Sequence, residues 1–139
     1  MKNKVEFWYE DAGIYSISLF YPRKNNSPII GCGIAQCHPD DDDVKSERTG
    51  SVIADYRSEI ELCKKIIQDE LKPGLAALIH LKGTMVLSKK YNPESYEAKR
   101  LNKEIKNLQK EIEETKKMKE VLEKDLTTYI TLKEEAKNK

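Results

Sequence analysis

After Pro93 the chain runs to Lys139 without another glycine or proline. A helix is the structure that fits so long a stretch, because turns and strand ends draw on the residues missing from it. Asn92-Pro93-Glu94 supplies a start with suitable chemistry. The amide side chain can accept an orphan N–H, proline suits the first helical position, and the acid sits at the positive end of the helix dipole. Leu101, Ile105, Leu108 and Ile112 then follow at 4,3,4 spacing, the narrow stripe of a coiled-coil seam. Thr115 continues the register, Lys119 breaks it, and the stripe restarts from Met118 through Leu122, Leu126 and Tyr129, as at a local register shift. Glu113 with Lys117 and Glu120 with Lys124 have the favourable acid-first i,i+4 order. A helix of roughly 40 residues extends about 60 Å at 1.5 Å per residue, beyond what a small sheet covers. No turn signal near Glu113 to Lys117 folds it back on itself. The rest of the seam is therefore expected to meet a second protomer, making a homo-oligomer.

The residues before this helix divide into strands and two further helices. Val5, Phe7 and Tyr9 alternate on one face, and Tyr15, Ile17, Leu19 and Tyr21 form another such row, with Asp11-Ala12-Gly13 as the turn between them. Arg23 to Pro28 is a second turn, and Ile29 to Cys37 a third strand carrying Gly31 and Gly33. A helix starting near Thr49 or Ser51 presents Ile53, Tyr56, Ile60, Cys63 and Ile67 on one face to cover the sheet, and Lys72-Pro73-Gly74 is expected to stop it. Leu75 to Leu87 reads as a short helix. The expected fold is α+β: a small antiparallel sheet of about three strands covered by a helix in residues 1–91, followed by a long coiled-coil-like helix in residues 92–139.

Charge narrows the classes of function. The formal net charge is +1, and it hides no basic half: residues 92–139 carry 12 basic and 11 acidic side chains, and the rest of the chain 13 of each. Non-specific nucleic-acid binding is mostly electrostatic, so a nucleic-acid partner is disfavoured. No segment reaches the roughly 20 apolar residues that span a bilayer, and Met1 to Asp11 has no signal-peptide core. A cytoplasmic protein with no membrane partner is expected. Cys32, Cys37 and Cys63 are odd in number, which favours reduced, buried thiols over a disulfide framework.

Few residues point to chemistry. The run Asp40 to Asp43 after His38 matches no calcium loop and reads as a solvated helix cap. Cys32, Cys37, His38 and Cys63 match no zinc spacing, and His38 and His80 lie outside any hydrolytic motif. No cofactor, metal or enzymatic activity is expected. Gly31-x-Gly33 is too short for a dinucleotide fingerprint and marks a bulge or a close backbone contact, with protein or with ligand. Arginine is scarce, with Arg23, Arg48, Arg57 and Arg100 against 21 lysines, so each is a candidate planar anion clamp. Arg57 stands out, next to the helix face of Tyr56, with an i,i+4 pair to Glu61 as the alternative. Tyr91 and Asn92 read equally as a half-buried ring and a cap, or as an aromatic and an amide that hold a nucleobase.

The stretch from Gly31 to Asp43, GCGIAQCHPDDDD, the helix GSVIADYRSEI and the segment KKYNPES resemble the phage Thoeris anti-defence proteins of the first type. The strand-then-helix pattern is more weakly similar to double-stranded-RNA-binding-like small domains. The first resemblance covers most of Gly31 to Ser95. It implies non-destructive capture of a cyclic ADP-ribose-type small-molecule signal made by a bacterial TIR-domain enzyme, in the host cytoplasm if the chain is phage-encoded. Arg57 would clamp a phosphate and Asn92 would hydrogen-bond the ligand. Tyr91 would be its aromatic neighbour, with Arg23 and Lys24 as charge partners. A second, cyclic dinucleotide site would need arginines on the last helix, where only Arg100 occurs. The competing expectations are a nucleic-acid-binding domain and a coiled-coil adaptor.

Overall fold

The computed structural model of the chain describes residues 2–9, 13–22, 28–35 and 44–137. Three strands, β1 (Lys2–Tyr9), β2 (Gly13–Phe20) and β3 (Ile29–Ala35), form an antiparallel sheet in the order β1-β2-β3. The register pairs Val5 with Ile17 and Ile17 with Cys32. The helices are α1 (Val44–Lys65), α2 (Lys72–Leu87) and α3 (Tyr96–Lys137), with π-helical turns at Ile66–Leu71 joining α1 to α2. The α+β class and the order of sheet, covering helix and long terminal helix are those read from the sequence. The turns at Asp11-Ala12 and Arg23–Ser27 and the acidic run with Cys37 and His38 lie outside the described residues.

The sheet meets α1 through its small residues. Ser16, Ser18, Gly31, Gly33 and Ala35 are buried, and Gly50, Ala54 and Ser58 of α1 are buried with them. The approach is so close that a Cβ on Gly33 would run into the carbonyl oxygen of Ala54 and the amide of Ser58, and one on Gly31 into the same features of Ser58 and Leu62. The close contact that the two glycines imply is therefore with the helix backbone. Buried hydroxyls cross the same layer: Ser18 and Ser58 share a hydrogen bond of 2.7 Å, and Ser16 donates to Asp55. All are satisfied, so burial costs them little.

Lys72-Pro73-Gly74 does not stop the helix, contrary to its composition. Proline lacks an N–H and its ring clashes with the carbonyl four residues back. The π-helical turns just before it relieve both problems, with the Lys72 N–H reaching the Ile67 carbonyl five residues back. The extra residue also re-phases the helix. Tyr56, Ile60, Cys63 and Ile67 step by 4,3,4, and Leu71, Leu75, Leu78, Lys82 and Met85 step by 4,3,4,3. The join between the two sets is 4 where the alternation requires 3, so without the π turns the second stripe would face elsewhere. With them, one helical rod from Val44 to Leu87 presents a single stripe.

That stripe is what α3 packs against. Leu62, Ile66, Ile67 and Leu71 form a buried cluster with Ile112, joined by Leu75 and Leu108 from either side, and Tyr56 meets Tyr129 with ring centroids 6.4 Å apart. The seam expected to need a second protomer is filled within the chain, because the proline that seemed to end α1 lets it run on as a partner of matching length. The stripe from Ile53 to Ile67, expected on the sheet, is divided: Ile53 packs beside Ile14 and Ala35, while Tyr56 and Ile67 serve α3. Three further readings are corrected. Helix α1 begins at Val44, before Thr49. The α3 seam has no register break: Leu101, Ile105, Leu108, Ile112, Thr115, Lys119, Leu122, Leu126 and Tyr129 keep an unbroken 4,3 alternation of covered positions, and Met118 is exposed. Lys119 occupies a seam position, its ammonium 2.9 Å from Glu123, and this bond raises its pKa above the ordinary lysine value. Surface pairing also differs, Glu113 lying 3.9 Å from Lys116.

Candidate functional site

The turn between α2 and α3 is built from local hydrogen bonds. Lys90 and Tyr91 both donate to the Met85 carbonyl, at 2.9 and 3.1 Å, which closes the end of α2. Lys89 takes a φ of 60° to make this possible, a left-handed conformation usually left to glycine. Asn92 Oδ1 then accepts the Glu94 N–H at 3.0 Å. The cap of α3 is Ser95, whose hydroxyl accepts the Ala98 N–H at 3.2 Å and donates to the Asn92 carbonyl at 2.8 Å. Asn92 therefore shapes the turn, and the helix starts at Tyr96, after the Asn92 expected from sequence. A serine three residues beyond Asn92 was the signal for the true cap.

Tyr91 is the half-buried centre of this end of the molecule. Its hydroxyl accepts a 2.9 Å hydrogen bond from Asn102 Nδ2, and Lys82 Nζ stands 5.5 Å from the ring centroid, within cation–π range. Beside it, Lys99, Asn102, Lys103, Lys106 and Asn107 line a shallow hollow of about 360 Å³ on α3. Lys99 lies 3.9 Å from Glu94, and Arg100 3.4 Å from Glu104. Lys103 and Lys106 have no carboxylate partner among the described residues. The hollow thus gathers lysine ammonium groups and two side-chain amides, one of which, Asn102, also bonds the Tyr91 hydroxyl.

Arg57 is elsewhere. It is exposed on α1, and its Nη1 donates a 2.6 Å hydrogen bond to the Ile34 carbonyl of β3, while Glu61 pairs with Lys65 at 3.2 Å. Its neighbour Tyr56 faces Tyr129, whereas Tyr91 bonds Asn102. Asn102 and Tyr129 are 27 positions apart on α3, which at about 1.5 Å per residue puts Arg57 roughly 40 Å from Tyr91 and Asn92. The single pocket implied for these residues does not form within one copy of the chain. Arg23 and Lys24 lie outside the described residues.

Among the described residues no His, Cys, Asp and Glu cluster is arranged to hold a metal. His80 is exposed and its carbonyl accepts from Thr84. Of the two cysteines among the described residues, Cys63 is buried, as expected, and Cys32 is exposed on the sheet. No helix among the described residues is long and apolar enough to cross a membrane. Comparison with known proteins found no matching family model, no matching curated protein and no matching solved structure.

Proposed function

We propose that the chain is a non-catalytic binding protein that holds an anionic nucleotide-type signal, of the cyclic ADP-ribose class, at the turn between α2 and α3. By its resemblance to phage anti-defence proteins, such capture would deprive a TIR-based Thoeris effector of its activator. The observation that supports this reading is the pair Lys103 and Lys106, without carboxylate partners, beside a tyrosine ring whose hydroxyl Asn102 fixes. Ammonium groups are strong point-charge partners for phosphates, and an oriented ring offers a nucleobase a stacking surface. Arg57 takes no part in this site. Titration calorimetry of the full chain with the cyclic signal tests it. The expected result is saturable binding, recovery of intact ligand after heating, at least a tenfold weakening in Lys103→Glu/Lys106→Glu, and no change in Arg57→Ala. No binding, or recovery of a hydrolysed product, would sink the reading.

A coiled-coil adaptor is the second reading, favoured by α2. Ile79, Leu81, Val86 and Leu87 are about half exposed or more, and no residue of α2 is buried. A helix apolar on several sides belongs in an interior. In that case Val86→Lys abolishes function and the two lysine changes leave it intact.

A further inference from the structure

The even charge of the two sequence halves conceals an uneven charge in space. Lys72 to Lys110 carries nine basic and three acidic side chains, a net of +6, while the rest of the chain carries 16 basic and 21 acidic, a net of −5. Division at residue 92 cuts this stretch in two, and folding reunites it: α2, the turn and the start of α3 form the turn end of the helical hairpin. Lys99, Lys103, Lys106 and Lys110 follow at 4,3,4 spacing and share one face of α3. Lys82, Lys89, Lys90, Lys103 and Lys106 have no carboxylate partner among the described residues.

The same end exposes hydrocarbon. Residues 73–88 hold a single charged side chain, Lys82, yet Ile79, Leu81 and Val86 are half exposed and Leu87 is 86% exposed. At about 100° per residue these side chains do not share a face. Ile79 and Val86 each follow a residue of the stripe that faces α3, Leu78 and Met85, and so lie on one flank. Leu81 precedes Lys82 of that stripe and lies on the other flank, and Leu87 points away from α3. Tyr96, also exposed, opens α3 at the same end. A protein partner covers one face of a helix. Apolar residues on several sides, with lysines among them, suit a fluid medium that closes around the end.

We propose that the turn end of the hairpin docks on the surface of a lipid bilayer whose headgroups are anionic. Val86 and Leu87 enter the acyl boundary, which surface-bound helices reach at a depth of about 5–10 Å. Lys89 and Lys90 adjoin them, and a lysine stem can lie along hydrocarbon while its ammonium stays among the phosphates. The rest of the basic stretch meets the negative surface potential, where each lysine is worth about fivefold in binding. An apolar anchor alone holds marginally, whereas an anchor joined to a basic patch holds stably. A nucleic acid would use the lysines but leave Val86 and Leu87 in water, so charge and hydrocarbon together favour lipid. This departs from the expected absence of a membrane partner. That expectation rested on the lack of a spanning segment, and surface binding needs none.

The proposal does not rest on the nucleotide reading, although Lys103 and Lys106 serve both. Co-sedimentation of the full chain with vesicles of phosphatidylcholine and phosphatidylserine in equal parts tests it. Binding is expected to fall at least tenfold on vesicles of phosphatidylcholine alone, in Lys89→Glu/Lys90→Glu and in Val86→Gln/Leu87→Gln. These side chains are exposed, so far-UV circular dichroism should be unchanged. Val86→Gln/Leu87→Gln should also leave calorimetry with the cyclic signal unchanged, which separates failure of this proposal from failure of the nucleotide reading. In a Trp8→Phe background, the fluorescence of Leu87→Trp should be quenched by lipids brominated on their acyl chains. That measurement decides the matter should either double variant lose its fold. No binding to the anionic vesicles overturns the proposal. So does binding without quenching, which is adhesion by charge alone. An oligonucleotide bound as tightly as the vesicles, by a chain indifferent to Val86→Gln/Leu87→Gln, overturns it in favour of nucleic acid.

Discussion

Gly33 concentrates the constraint that joins sheet to helix. An added methyl would meet backbone atoms of Ala54 and Ser58, which cannot rotate away. Gly33→Ala is therefore expected to cost about 1–3 kcal/mol in urea denaturation, while Cys32→Ala, one residue along on the exposed face, changes stability by less than about 0.5 kcal/mol. Lys89 works in the opposite sense. Its φ of 60° is strained for a side chain with a Cβ, so Lys89→Gly should stabilise the chain by about 1 kcal/mol, read from the thermal midpoint. Sequence reasoning located the close approach at Gly31 and Gly33 but could not say what approaches. Ser16 and Ser18 passed without notice, because alternation on β2 draws attention to the large residues, and here the small polar ones face the core.

Among the elements, the π-helical turns have the widest effect. They add one residue to the helix between Ile67 and Leu71 and so keep two apolar stripes in line. Deleting Asp69 should remove that residue and rotate α2 by about 100° relative to α1. Leu75 would then leave its place against the buried cluster of Leu71 and Ile112. Loss of one such leucine contact ordinarily costs about 2–5 kcal/mol, and a drop of at least that size in the urea midpoint analysis is expected. Pro73→Ala should be tolerated, since the phase of the stripes still favours the extra residue. The long helix α3 was legible because its period is regular and nothing interrupts it. The length of its partner was not, because a proline followed by a glycine has the composition of a helix end, and the hydrogen-bond shift that accommodates it leaves no mark in composition. Lys119 misled for a related reason: a lysine on an apolar seam looks like a fault until Glu123 is seen to hold its ammonium.

At the scale of the whole molecule, the chain is a sheet-capped helical hairpin with Arg57 and Tyr91 near its two ends. Class and element order were legible from the sequence, but this distance was not, since it depends on α1 and α2 forming one rod. The hairpin also has a direction. Its strands of helix are joined by only eight residues, 88–95, so contacts near that turn, such as Tyr91 with Asn102, close short loops. Tyr56 with Tyr129 closes one of more than 70 residues. Loop closure grows more costly with length, and local contacts form soonest. The two helices should therefore zip from the turn outward, with the aromatic pair beside the sheet joining last. The strained Lys89 then marks the point where folding of the arm begins, and chain leaving the ribosome must reach well past Asn102 before that end can close.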